Sequence, residues 1–299
     1  MSKNIKFFYR DINRQSNETS HFWKDHKDKL SFLYSKSITY LDNLNKVIIL
    51  GIGNGEDLPL KVIADSFQST TLLDIDKETL LETKDSLPRE IRTKVKTITK
   101  DLTNADDKYT EKYAKSLLVK KDPFIAKAIL NKLFIDESIF PQTPLQENFQ
   151  LVISSTVSTQ LVTPFTLLTQ SFHGMMGAQL HELCAKLSAK AVENHVTQIE
   201  NLLESKNISV ALITSEQYVW SIDEEAENGL IGSTIEKPEE MLIQDNQNYF
   251  EEKGLVIQGR ITKPMLNNFD ILYEDEWLWK FNESRQYLVK GWIVRKPII

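Results

Sequence analysis

Residues 47–58 read Val-Ile-Ile-Leu-Gly-Ile-Gly-Asn-Gly-Glu-Asp-Leu, VIILGIGNGEDL. Four branched apolar residues run into glycines at 51, 53 and 55, and two acids follow. A buried strand ending in such a turn marks a ligand site of an α/β sheet, because glycine reaches backbone conformations barred to other residues and lets a ligand approach the main chain. The dinucleotide fingerprint G-x-G-x-x-G would place its third glycine at position 56, where Glu56 stands. A P-loop would need Gly-Lys-Ser/Thr, which does not follow. Glu56 and Asp57 suit the positive end of a helix dipole but repel a pyrophosphate. The turn therefore predicts a ligand without phosphates, one that carries positive charge.

Outward from this turn the chain alternates between strand and helix. Lys46–Leu50 is the strand, and Asp57–Phe67 a helix whose Leu58, Leu60, Ile63, Ala64 and Phe67 form an apolar side. Thr70–Ile75, Val95–Thr99, Phe149–Ser154 and Ile208–Thr214 are further strands, with a helix over Lys77–Ser86. Such alternation predicts a parallel sheet with right-handed crossovers. Trp277–Phe281 and Tyr287–Val294 flank a five-residue loop and form a hairpin, antiparallel by construction. The expected fold is α/β: a Rossmann-like sheet of seven strands, mostly parallel, closed by an antiparallel C-terminal hairpin strand. Residues 1–45 form a helical N-terminal segment, in which Ser20 is a candidate N-cap. Residues 46–299 form the α/β domain, with helical insertions at about 105–148 and 163–194. The first insertion carries Asp122-Pro123, an N-cap followed by proline at the first helical position. The second opens on Thr163-Pro164 and breaks near Gly174 and Gly177.

Two acids test the ligand reading. Asp74 ends the second strand, 19 positions after the last glycine, where a carboxylate can accept both ribose hydroxyls. Asp76 is the alternative, and helix capping the plain structural reading. Asp101 ends the third strand. It can accept from an adenine amino group while the backbone of the next residue, Leu102, meets the ring edge; helix capping is again the alternative. Glycine turn, Asp74 and Asp101 lie at the carboxyl ends of neighbouring strands, where open α/β sheets bind ligands.

VIILGIGNGEDL, the ribose acid in LLDID, TKDLT for the adenine, FQLVISSTVSTQL after the fourth strand and the closing EWLWKFNESRQYLVKGWIV together resemble the class I S-adenosylmethionine-dependent methyltransferases. More narrowly, GIGNGEDLPL, LVISSTVSTQL and WLWKF…YLV are similar to a poorly characterised bacterial group of that family. The resemblance implies S-adenosylmethionine as cofactor, held by Gly51, Gly53, Gly55, Asp57, Asp74, Asp101, Leu102, Ser154 and Ser155. Asp57 either caps the following helix or orients the methionine ammonium. The hydroxyls of Ser154, Ser155 and Thr156 either hold substrate or satisfy local backbone groups. It also implies methyl transfer to oxygen or nitrogen of a small molecule. Three departures stand out. Ile49 occupies the place of the family's acid two residues before the first glycine, as in the spermidine-synthase branch, so aminopropyl transfer is an alternative. Gln150 replaces the aspartate that opens the fourth strand. SSTVS is not the Asn/Asp-Pro-Pro-aromatic motif of enzymes that methylate nucleic-acid bases or protein amides. A non-catalytic cofactor-binding module is a further alternative, since no catalytic dyad is recognisable.

In-line displacement at a sulfonium needs alignment more than acid–base help, so the catalytic residue is left open. His173, beside the glycine break, and Tyr9, near the N-terminus, are the candidates for a base and a cover. Among 299 residues, 41% are apolar and 26% charged, and the net charge of -6 offers no built-in attraction to nucleic acid. The expectation is a small-molecule partner, with neither nucleic acid nor membrane, in the cytoplasm; the oligomeric state is open. Cys184 alone makes no internal disulfide and reads as a small buried side chain. No metal site is expected. His21 and His26 do not share a helix face, and His181 with Cys184 lacks a third ligand.

Overall fold

The computed structural model describes residues 18–105, 107–136, 139, 145–170, 172, 176–205, 208–221 and 262–297. Seven strands form one sheet: β1 Lys46–Leu50, β2 Ser69–Asp74, β3 Val95–Thr99, β4 Leu151–Ser155, β5 Val210–Ser221, β6 Asp270–Lys280 and β7 Arg285–Arg295. Their order is β3-β2-β1-β4-β5-β7-β6. The pairs among β1 to β5 are parallel, and β7 runs antiparallel to both β5 and β6. The seven-stranded sheet expected from the sequence is present. Chain order reverses between β1 and β4, so their carboxyl ends splay at a topological switch point.

β1 shows why this sheet is covered on both sides. All of Val47–Leu50 is buried, as strands shielded on both faces require. Val47 and Ile49 pack in the core under α1 Lys24–Ile38, α2 Leu60–Ser66, α3 Lys77–Asp85 and α4 Arg89–Arg92. Ile48 and Leu50 point the other way, into a core shared with Val192, Val196, Ile199 and Leu202. A third core holds Tyr113, Leu117, Leu130, Leu133, Phe165, Leu180, Cys184 and Leu187. It lies among α5 Asp107–Ala114, α6 Pro123–Ile135, α7 Thr163–Gln170 and the first half of α8 Gly177–Leu202. The 26 residues of α8 extend about 39 Å at 1.5 Å per residue, and its second half lies on the sheet.

Several boundaries differ from the sequence expectations. α2 begins at Leu60, not at Asp57, because Pro59 disfavours helical backbone at Leu58; Glu56 and Asp57 therefore lie outside its first turn. Ser20 opens a short 3-10 turn, and α1 starts at Lys24 behind Trp23, without a side-chain cap. β5 continues past Thr214 to Ser221, since β7 pairs with it to the end. The hairpin strands are longer than expected and leave only residues 281–284 between them. Asp122 caps α6 as expected, accepting from the amides of Phe124 and Ile125.

His26 is buried rather than available as a ligand. Its Nδ1 accepts from Trp277 Nε1 at 3.0 Å, and its ring stacks on Trp279 at 4.1 Å. Burial holds its pKa down to about 3. Gln150 reaches the backbone of Lys46 and the Glu204 carboxylate, tying β4 to its neighbours at the edge remote from the glycine turn.

Candidate functional site

Gly51, Gly53 and Gly55 have φ of 59°, 54° and 68°, a left-handed backbone that strains any side chain. A Cβ on Gly51 would also meet Val157 Cγ2 at 2.8 Å. The turn thus curls against the segment that follows β4.

Asp74 pins this turn. Its Oδ2 accepts from the Gly53 amide at 2.8 Å and its Oδ1 from the Asp76 amide at 2.9 Å. Burial pushes its carboxyl up, and the two amides oppose that shift. Asp76 is the helix cap, accepting from the Glu78 amide at 3.1 Å and Thr79 Oγ1 at 2.8 Å. Asp101 accepts from the amide and hydroxyl of Thr103, both at 2.8 Å. The next residue, Leu102, is buried, and its carbonyl accepts from Gln198 Nε2 at 2.8 Å. The expected cofactor residues of β1, β2 and β3 therefore share one edge of the sheet.

Ser154 and Ser155, consecutive on β4, face opposite sides. Ser154 Oγ lies 2.8 Å from His195 Nε2 on α8, and His195 Nδ1 lies 3.3 Å from Gln198 Oε1. Because Gln198 donates its amide to Leu102, its oxygen needs a donor, which assigns the imidazole proton to Nδ1. Hydrogen bonds then run in one direction from Ser154 through His195 and Gln198 to the Leu102 carbonyl. Burial holds His195 down to about 4, so the ring is neutral near pH 7.

Ser155 faces the glycine turn. Its hydroxyl donates to Asp57 Oδ2 at 3.0 Å and lies 3.2 Å from Thr214 Oγ1. Asp57 is partly exposed and does not cap α2. Desolvation pushes its carboxyl up, against the Ser155 hydroxyl, nearby amides and the charge of Lys27. Lys27 itself lies 3.5 Å from the exposed Glu56. Thr156 follows with φ of 54°, a strained conformation for a β-branched residue. Its amide donates to Thr214 at the end of the strand pairing between β4 and β5.

Glu216, two residues beyond Thr214 on β5, is not among the residues the sequence singles out. It is 7% exposed and its Oε2 lies 2.5 Å from Thr159 Oγ1. Burial, reinforced by the charge of Asp57, pushes its carboxyl up to about 7. The signal was an acid inside a strand, in ITSEQYV. His195 and Gln198 were also missed; their signal was a polar pair at i, i+3 on the sheet side of a helix. His173 and Tyr9 lie outside the described residues.

Neither a scan against protein-family models nor a search of curated proteins returns a match. Among solved structures, the chain is similar to a SAM-dependent methyltransferase from Aquifex aeolicus at 9% identity, with 94% of this chain and 98% of that chain covered and a TM-score of 0.40. It is similar to the N-methyltransferase NodS from Bradyrhizobium japonicum WM9 at 9% identity, with 100% of both chains covered and a TM-score of 0.39. The glycopeptide N-methyltransferase MtfA, solved with S-adenosylmethionine, gives 9% identity, 86% and 84% coverage and a TM-score of 0.36. At identities and TM-scores this low, the likenesses say nothing of what this chain binds or does. Among the described residues no helix is long and apolar enough to cross a membrane.

Proposed function

We propose that the protein transfers a methyl group from S-adenosylmethionine to a small-molecule oxygen or nitrogen acceptor. The observation that carries this reading is the left-handed glycine turn held by Asp74 and flanked by the partly exposed Asp57. A carboxylate beside such a turn opposes a pyrophosphate and favours a cation. Bound there, the cofactor supplies an electrophilic methyl carbon on a sulfonium. Asp74 would accept from the ribose hydroxyls alongside the Gly53 and Asp76 amides, Asp101 and the Leu102 backbone would meet the adenine, and Asp57 with Ser155 would hold the methionine ammonium. Ile49, buried in β1 where an acid would stand in the related family, keeps aminopropyl transfer as the second reading; product mass separates the two.

The test is thermal stability with S-adenosylmethionine, S-adenosylhomocysteine, the decarboxylated cofactor and NAD, each in excess. A ligand at about 100 times its Kd adds about 2.7 kcal/mol. A shift with NAD alone overturns the reading. Asp74→Ala should weaken S-adenosylhomocysteine binding by about 30-fold or more, the loss expected for hydrogen bonds to a charged group. Unchanged affinity in a folded variant refutes the ribose assignment.

A further inference from the structure

Acids on β6, the edge strand beyond β7, all find a base. Asp270 pairs with Arg295, Glu274 with Lys263, Asp275 with Lys29 and Glu276 with Lys290. Glu216 on β5 is more deeply buried than any of these, yet among the described residues its side-chain partner is the Thr159 hydroxyl and no cation. The same hydroxyl lies 2.8 Å from the Thr156 carbonyl. One hydroxyl proton cannot serve both acceptors. With that proton on the Thr156 carbonyl, Glu216 makes its short contact as the neutral acid; with it on Glu216, the carbonyl goes without.

A second carboxyl and a tyrosine hydroxyl lie near this carboxyl. Asp57, on the glycine-turn side, is close enough for its charge to act on Glu216, and Glu216 acts in turn on the Tyr287 hydroxyl. Across the sheet, Glu216 is in register with Val289 and, beyond it, Trp277. The Tyr287 ring packs with Trp279 at 5.4 Å and Phe281 at 5.7 Å. A carboxylate that has no cation partner among the described residues and lies near the Tyr287 side chain suits an alkylammonium, which gains from both. An alcohol brings no charge to offset the two neighbouring acids.

We propose that Glu216 binds the acceptor, that the acceptor is an aliphatic amine arriving as its ammonium ion, and that Glu216 removes the proton covering the nitrogen lone pair. The proposal rests on the methyl-transfer reading: Asp57 answers the ammonium of the cofactor and Glu216 that of the acceptor. On arrival of the ammonium, a neutral Glu216 loses its carboxyl proton to solvent and the ion pair forms. An N–H bond of the ammonium then breaks and an O–H bond forms on Glu216, leaving the electron pair on nitrogen.

The experiment is titration calorimetry of the full chain with n-butylamine, 1,4-diaminobutane and benzylamine, with n-butanol as the uncharged control. Each is measured with and without S-adenosylhomocysteine, in two buffers of different ionisation enthalpy. At least one amine should bind at pH 6 with proton release, and butanol should not. Amine affinity should rise by up to about tenfold per pH unit until Glu216 is ionised, near pH 7. Among the described residues, the groups facing this carboxyl are Asp57, with Lys27 beyond it, and Tyr287, with Arg285 beyond it. Glu216→Gln should lose about 30-fold or more in amine affinity and keep its affinity for S-adenosylhomocysteine. Failure of all three amines to bind, amine binding without proton release, or equal affinity in Glu216→Gln overturns the proposal. The wild-type proton count stands even if the variant does not fold. S-adenosylhomocysteine binding without amine binding sinks the amine assignment alone; no cofactor binding sinks the methyl-transfer reading.

Discussion

The two sides of Ser154 and Ser155 handle polarity in opposite ways. On the α8 side, Ser154, His195, Gln198 and the Leu102 carbonyl form a neutral line in which each donor meets an acceptor. On the glycine-turn side, Asp57 and Glu216 leave two carboxyls near each other, with hydroxyls and amides for hydrogen-bond partners among the described residues and the Lys27 charge acting on Asp57. Closed neutral networks rigidify a core, whereas a carboxyl without a counter-ion costs stability until a cation comes. The first arrangement is architecture, and the second is the proposed site.

The comparison breaks most decisively at His195. His195→Leu takes away the acceptor of the Ser154 hydroxyl and the Nδ1 contact of Gln198, and should cost about 3 kcal/mol in urea unfolding. A loss below about 1 kcal/mol would show the line to be ornamental. Next comes the pH dependence of the open side. Glu216 binds its proton more tightly folded, near pH 7, than unfolded, near about pH 4.3. The unfolded chain therefore holds fewer protons between these values, and this group's stabilisation fades as pH rises through them. From pH 5 to pH 8 it should remove about 2 kcal/mol, and Glu216→Gln should abolish that decline, seen as a Tm gain of a few degrees at pH 8. An identical pH profile in the variant would mean that the carboxyl is not desolvated. The smallest effect separates the serines themselves. Ser154→Ala should cost about 1 kcal/mol of stability and leave S-adenosylhomocysteine binding alone. Ser155→Ala should do the reverse, weakening binding several-fold with little change in Tm.

How well the sequence could be read differed along the chain for physical reasons. VIILGIGNGEDL was legible because buried branched residues and left-handed glycines leave few conformations open. Asp74 and Asp76 were separable only in three dimensions, since both can reach a free amide and geometry gives the cap to Asp76. The start of α2 was readable in LPL but was placed too early, because the apolar spacing of Leu58 and Leu60 outweighed the proline. β5 was cut short at Thr214 because Ser215, Glu216 and Gln217 broke its apolar run. That polarity is the proposed acceptor site, and hydrogen bonding to β7, which no local pattern announces, carries the strand through it.

α8 belongs to two cores at once, its first half among the added helices and its second half on the sheet. A helix shared in this way welds two folding units into one. The amides at its centre, around Ala191 and Val192, should be released to hydrogen exchange only when both cores open together. Ser154 and the Leu102 loop are tied to that same helix by His195 and Gln198. The slowest-exchanging helix of the chain should therefore be the one that bridges the end of β4 and the adenine loop.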